Sequence, residues 1–221
     1  MTYTHPVRTC QATDPVAPWL LLAHGAGAGQ DHPWMRGTAE RLAGHGISVA
    51  TFDFPYKAAG RKLPDRAPVL EQAFLDAWEE LWAVLTAGPA GANPALHAFA
   101  GGKSMGGRIA SQVAPQLTPA PAGLVFFGYP LHPPGRPVDR RDRHLPLVGR
   151  PLLFLHGTRD PFGSPDEMQA LADRLPGATL SLVDGGDHSL VAGRGRGTTA
   201  APDAAVRIAA DWMRGLTPPA R

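Results

Sequence analysis

The chain has a single cysteine, Cys10, among its 221 residues. No intrachain disulfide can form, and such sparing use of cysteine predicts a reducing compartment. Lysine is scarce as well. Of 21 basic residues only Lys57, Lys62 and Lys103 are lysines, and 19 acidic residues leave a formal charge of +2. That balance is too small to argue for a nucleic-acid partner. The densest basic run, residues 136–150, interleaves Asp139 and Asp142 with Arg136, Arg140, Arg141 and Arg143, which predicts a solvated loop in preference to an anion-binding patch. Long apolar runs are missing: the longest span about five residues, against the ~20 that cross a bilayer, so no membrane partner is expected. Residues 1–19 hold no apolar core of signal-peptide length. These absences together predict a cytoplasmic protein. The nine histidines are scattered without metal-ligand spacing, so neither a metal nor any other cofactor is expected.

What the chain does have is punctuation: 26 glycines and 24 prolines break up short apolar runs. A length of 221 residues suits one domain that buries roughly 70–75% of its unfolded surface. Nearly continuous apolar segments at 19–23, 47–54, 96–100, 124–129, 152–156 and 179–183 read as strands buried on both faces. Helical patterns at 33–42, 69–85, 105–117, 165–175 and 204–216 alternate with them, which predicts an α/β fold with a mostly parallel sheet covered on both sides. Residues 1–16 are an extension, with an edge strand expected at 3–9. Residues 130–150 carry five prolines and no helical pattern, so a long irregular loop beside the active site is predicted there. The glycine–arginine repeat at 193–197 reads as a tether to the last helix.

The richest stretch is Gly101-Gly102-Lys103-Ser104-Met105-Gly106-Gly107. An apolar run ends in Gly-x-Ser-x-Gly, and a helical pattern (Ile109, Ala110, Val113, Leu117) follows at once. Strand, sharp turn with serine at its apex, then helix is the layout of a nucleophile elbow. A serine hydroxyl needs a neighbouring base, and the base needs an acid to hold its tautomer. Two later strand ends supply them: 152–156 leads to Asp160, and 179–183 leads to His188. The expected catalytic set is Ser104, His188 and Asp160. Asp187, Asp184 and Asp139 are alternative acids. Adjacent side chains such as Asp187 and His188 diverge, Asp184 belongs to the same strand end, and Asp139 lies far beyond its strand. The structural readings are that Asp160 caps the turn before Pro161 and that His188 is an ordinary loop histidine.

An oxyanion needs preorganised donors, expected from the Met105 N–H and from the glycine-rich loop 24–29, with Ala26 chosen and Gly27 as fallback. His24 reads as a hydrogen-bonding strut of that loop. Tyr56, Tyr129 and Phe162, with His24 and the 130–150 loop, are the expected pocket walls. Other motifs fail. Gly102-Lys103-Ser104 lacks the glycine a P-loop needs at 97, and Gly25-Ala26-Gly27-Ala28-Gly29 lacks dinucleotide-binding spacing.

With His24-Gly25-Ala26-Gly27, Gly101–Arg108, Gly128–Gly135, His156–Gly163 and Gly185-Gly186-Asp187-His188-Ser189 in place, the chain resembles the alpha/beta-hydrolase-like family. That family includes dienelactone-hydrolase-like bacterial proteins and the hydrolase-like domain of an animal histone-acetyltransferase complex subunit. The likeness spans about residues 17–215. It implies a minimal, lidless alpha/beta-hydrolase fold of about six or seven strands, and it supports the placing of Ser104, Asp160 and His188. Dienelactone hydrolases proper use a cysteine nucleophile, so Ser104 points to hydrolysis of a small or medium carboxylic ester or thioester. A non-catalytic interaction module of the same fold, or a cofactor-free haloperoxidase or acyltransferase with the same three residues, is the alternative. The sequence names no acyl group and no oligomeric state.

Overall fold

The structure is a computed structural model that describes residues 7–14, 17–87, 98–193 and 200–217. Among the described residues seven strands form one sheet: β1 (Arg8–Cys10), β2 (Trp19–Ala23), β3 (Ser48–Phe52), β4 (Ala98–Lys103), β5 (Leu124–Phe127), β6 (Leu152–Gly157) and β7 (Ala178–Val183). Their order is β1-β3-β2-β4-β5-β6-β7. All neighbours are parallel except β1, which pairs antiparallel with β3.

Side-chain alternation along each strand divides the core in two. On one face Leu20, Leu22, Phe99, Phe127 and Leu155 meet helices α1 (Pro33–Gly44) and α6 (Asp203–Gly215). On the other, Leu21, Ala23, Ala100, Phe126 and Phe154 meet α3 (Ala67–Thr86), α4 (Met105–Val113) and α5 (Pro165–Asp173). The stripe Leu70, Phe74, Trp78, Leu81, Trp82 recurs at three- and four-residue steps and is buried along α3, while Leu75 and Leu85 lie at its half-exposed margin. Helix α5 starts in a full capping box: the Ser164 side chain accepts from the Glu167 N–H, and the Glu167 carboxylate accepts from Ser164.

Several boundaries move, each for a local reason. The segment predicted as a strand over 47–54 is strand only at Ser48–Phe52, because Pro55 opens a short helix, α2 (Pro55–Ala58), that the sequence reading lacked. β5 stops at Phe127 because Gly128 turns to a φ of +70°. α4 ends at Val113, and Pro115, which has no N–H to donate, tightens the rest into a 3-10 turn at Ala114–Gln116. β7 is an edge strand, half-exposed rather than buried on both faces, with Leu182 42% exposed. The expected edge strand at 3–9 is found at Arg8–Cys10; residues 3–6 lie outside the described residues, as do 96–97 of the predicted fourth strand and 194–197 of the tether.

The 130–150 segment has no strand or α-helix, only a 3-10 turn at Leu145–Leu147. It is nevertheless pinned. Leu131, Leu145 and Val148 are in the core, Tyr129 Oη donates to the Arg141 carbonyl at 2.7 Å, and His144 Nε2 lies 2.8 Å from Ser111 Oγ on α4. Buried Asp142 accepts from Arg140 at 2.6 Å and from Arg174 at 3.0 Å. Burial alone would raise its carboxyl, but these guanidiniums hold it below the usual carboxylate value.

β2 and β4 run parallel, but the winding of the chain along the sheet reverses between them. From β2 the chain crosses through α1 on one face to β3; from β4 it crosses through α4 on the other face to β5. The loops after these two neighbouring strands therefore part and leave a crevice at the carboxyl edge, the place where α/β sheets bind ligands. The crevice is tight because α4 rests directly on β2: a Cβ added to Gly106 would lie 2.3 Å from the Ala23 carbonyl oxygen. Gly106→Ala should therefore lower stability by about 1–3 kcal/mol through overpacking. Gly44→Ala, near the end of α1 with nothing within 4 Å of the added methyl, should be neutral or stabilising. Urea unfolding of both variants checks this; equal midpoints would contradict it.

Candidate active site

Ser104 stands between β4 and α4 with φ at +51°, a conformation that among the described non-glycine residues only Leu190 shares as a positive φ. Such a backbone costs on the order of 1–3 kcal/mol and persists where packing on both sides enforces it. Here β4 enters the turn from one side, with the Ser104 N–H donating to the Phe127 carbonyl at 3.2 Å, and α4 leaves on the other. The turn lifts the half-exposed Ser104 side chain above the sheet edge.

His188 comes from the loop after β7. That loop is tied by Asp187, whose Oδ1 accepts from the Ser189 and Val191 N–H groups at 2.7 and 3.1 Å. Asp160 comes from the turn after β6 and is 5% exposed. Its Oδ1 accepts from the Phe162 N–H at 2.9 Å, and its Oδ2 lies 2.7 Å from His188 Nδ1. On the far side of the ring, His188 Nε2 is 2.8 Å from Ser104 Oγ. A carboxylate can only accept, so the bond to Asp160 puts the ring proton on Nδ1. Nε2 is then left with a lone pair facing the serine hydroxyl. Phe162 packs over the imidazole with ring centroids 4.2 Å apart and planes 31° from parallel.

The other candidate acids are elsewhere. Asp187 is engaged with the loop backbone, Asp184 is exposed, and Asp139 pairs with Arg136 at 2.5 Å. The capping reading of Asp160 has substance, since one oxygen does serve the turn; the second remains for His188.

The loop after β2 reaches the same place: a Cβ on Gly25 would lie 3.6 Å from Ser104 Cβ. Ala26 and Gly27 are exposed there. Met105 provides the first N–H of α4, which has no intrahelical acceptor. His24 is a strut. Its Nε2 accepts from the Phe54 N–H at 3.1 Å, so Nδ1 carries the proton and donates to the Gly25 carbonyl at 2.8 Å. Tyr56 Oη donates to the Ala26 carbonyl at 2.7 Å. Asp53, absent from the sequence expectations, accepts from the Gln30 N–H at 2.7 Å and closes the far end of this loop.

The pocket assignments need correction. His24, Tyr56 and Tyr129 are at most 1% exposed, and their polar atoms are spent on the protein's own backbone. They support the walls from behind. Phe162 alone of the four expected wall residues is partly exposed. The sequence reading also passed over His156 of β6. Its Nε2 lies 2.8 Å from the Gly163 carbonyl and so holds the proton, while Nδ1 is buried without a hydrogen-bond partner, 3.7 Å from Asp160 Oδ2.

A family model described as an alpha/beta hydrolase domain matches residues 16–214. The chain belongs to the alpha/beta hydrolase family. Solved structures of similar fold include a dienelactone hydrolase from Anabaena variabilis, 20% identical, TM-score 0.68, matching 95% of this chain and 90% of that one. The esterase domain of a Rhodothermus marinus protein is 18% identical, TM-score 0.67, with 95% and 92% covered. An α/β serine hydrolase without a lid from Xanthomonas campestris is 17% identical, TM-score 0.69, with 97% and 90% covered. At such identities the likeness is one of fold. In this alpha/beta hydrolase the sheet is seven-stranded and mostly parallel among the described residues. Among the described residues no helix is long and apolar enough to cross a membrane, and no group of three or more metal-ligating side chains is gathered.

Burial makes both His24 and His156 harder to protonate than an ordinary histidine; nearby Asp53 and Asp160 respectively oppose the shift without cancelling it. The unfolded chain then binds more protons than the folded one once pH falls below the ordinary histidine range. Stability that is complete at pH 7–8 should decline as pH drops from about 7 toward 5, by at most about 1.4 kcal/mol per pH unit for each ring. Urea midpoints across that range check this, and a flat profile would contradict it.

Proposed function

We propose that this protein is a serine hydrolase that cleaves a small or medium carboxylic ester or thioester through an acyl-enzyme. The observation that carries the reading is the unbroken hydrogen-bond chain Asp160–His188–Ser104, with links of 2.7 and 2.8 Å. Ser104 Oγ attacks the acyl carbon while His188 Nε2 takes its proton. Asp160 holds the ring orientation and stabilises the imidazolium. Collapse of the tetrahedral intermediate breaks the bond to the leaving oxygen or sulfur, which receives the proton from Nε2. Water then adds to the acyl-enzyme, giving a proton to the same nitrogen, and the acid departs as Ser104 recovers its hydrogen.

The oxyanion would be met by the N–H groups of Met105 and Ala26. A trans peptide points its C=O and N–H in opposite directions. The Gly25 carbonyl is held inward by His24, which turns the Ala26 N–H of the same peptide outward, toward the exposed side of the loop. The Met105 N–H lies at the positive end of α4, where a developing negative charge is favoured. The reading needs no cofactor, and the lone cysteine goes with a cytoplasmic location.

Turnover of short-chain p-nitrophenyl esters tests it. Ser104→Ala should lower kcat by at least about a thousandfold. Asp160→Asn, which lets the ring take the wrong tautomer, should lower kcat by roughly 10⁴-fold with little change in KM. A Ser104→Ala variant as active as the parent would refute the assignment. A fluorophosphonate should label the folded protein at Ser104; folded protein that resists labelling would instead favour an interaction module.

A further inference from the structure

We propose that Lys103 is a positioning residue for this reaction, reaching from the strand that carries Ser104 to clamp the loop that carries His188. The inference rests on the reading of the preceding subsection. Strand alternation sends the Lys103 side chain to the same face as Phe99, toward α1, and away from the face on which α4 packs. There its Nζ donates to the His188 carbonyl oxygen and to Ser189 Oγ, both at 3.2 Å. The ammonium lies 5.0 Å from the centroid of the Trp34 ring, and Trp34 Nε1 donates to the Ser189 carbonyl at 3.4 Å. Three donated bonds from β4 and α1 thus converge on two consecutive residues of the histidine loop.

The clamp has a mechanical purpose. β4 and β7 are separated in the sheet by β5 and β6, so no strand pairing fixes the β7 loop relative to Ser104. Asp187 shapes the loop internally, and Asp160 holds the ring at Nδ1. Neither bond ties the loop backbone to the nucleophile's own strand. Lys103, next in sequence to Ser104, does so directly. A filler for this space would be apolar, because a largely buried cation carries a desolvation penalty. Burial pushes the Lys103 ammonium down to about 8, against the carboxylates of Asp160 and Asp187. The carbonyl, the hydroxyl and the indole face are what offset that penalty here.

Lys103→Met keeps the stem and removes all three donors of the head. It should lower kcat roughly 10- to 100-fold, as expected for a displaced base, with KM changed less than about threefold. Lys103→Arg, which can still donate to both oxygens and lie over the indole, should recover most of the lost rate. The downfield ring-proton resonance of His188 should shift or broaden in Lys103→Met and return in Lys103→Arg. Parental kcat in a folded Lys103→Met protein, or a reduced kcat with an unmoved His188 resonance, would overturn the proposal. If Lys103→Met gives no cooperative melt, Ser189→Ala, which removes one acceptor, decides: kcat should fall severalfold with KM held, and an unchanged kcat counts against the clamp. A parent protein that neither turns over esters nor reacts with a fluorophosphonate sinks the hydrolase reading, while the His188 resonance still decides whether Lys103 holds the ring.

Discussion

The backbone of α4 lies against the backbone of β2 with no room for a side chain between them, and the rest of the site is arranged around that contact. Gly106 meets the Ala23 carbonyl at a distance no Cβ could tolerate. Bringing helix and strand this close forces the chain through the Ser104 turn at a positive φ. It also draws the loop after β2 up to the serine, so that Gly25 faces Ser104 Cβ. The position of Ser104 and the placing of the proposed oxyanion donors are therefore consequences of one packing constraint. The strain at Ser104 is tolerable because β4 is paired with a strand on each side and α4 is pressed against the sheet, so neither end of the turn can relax without breaking those contacts.

Around this point, hydrogen bonds to fixed acceptors and donors determine where the ring protons sit. The Phe54 N–H determines the tautomer of His24, the Gly163 carbonyl that of His156, and the Asp160 carboxylate that of His188. Burial keeps the first two neutral, so each is a rigid hydrogen-bonding element and not a competing charge. This matters most at His156. Were it protonated, a cation would stand 3.7 Å from Asp160 Oδ2 and compete with His188 for the carboxylate. An uncharged ring at that position leaves Asp160 Oδ2 to His188, and the unpartnered Nδ1 of His156 is the penalty accepted for it.

Much of this was legible in the residues because the signals are short-ranged. The central strands are apolar on both faces, and glycines at 102 and 106 beside a serine allow few other turns. The acid and the histidine each follow a strand by only a few residues, so the sheet itself brings them to one edge. The failures are of another kind. Tyr56 and Tyr129 look like wall residues in sequence, since an aromatic beside a site-forming loop can face either way. In the fold their hydroxyls turn to the Ala26 and Arg141 carbonyls. β7 reads as a buried strand because its apolar content does not reveal that it is last in the sheet. Lys103 carries no role of its own in the sequence, within the elbow or the failed phosphate-binding motif, because its partners at 34 and 188–189 are remote.

The 130–150 loop shows how an irregular segment can be rigid. Its composition suggests a solvated loop, and it runs from the carboxyl end of β5 to the amino end of β6. Yet it is fastened to α4 by Ser111 and His144, to α5 by Arg174, and to itself through Tyr129 and the Asp142 pairs. Irregular backbone held by buried partners has little freedom to close over a ligand, whatever its secondary structure. What is left uncovered at the rim of the crevice is the exposed pair Ala26 and Gly27 on one side and half-buried Phe162, lying over the His188 imidazole, on the other. Both sides of that rim are held from beneath by buried partners, Ala26 through Tyr56 and Phe162 through Asp160.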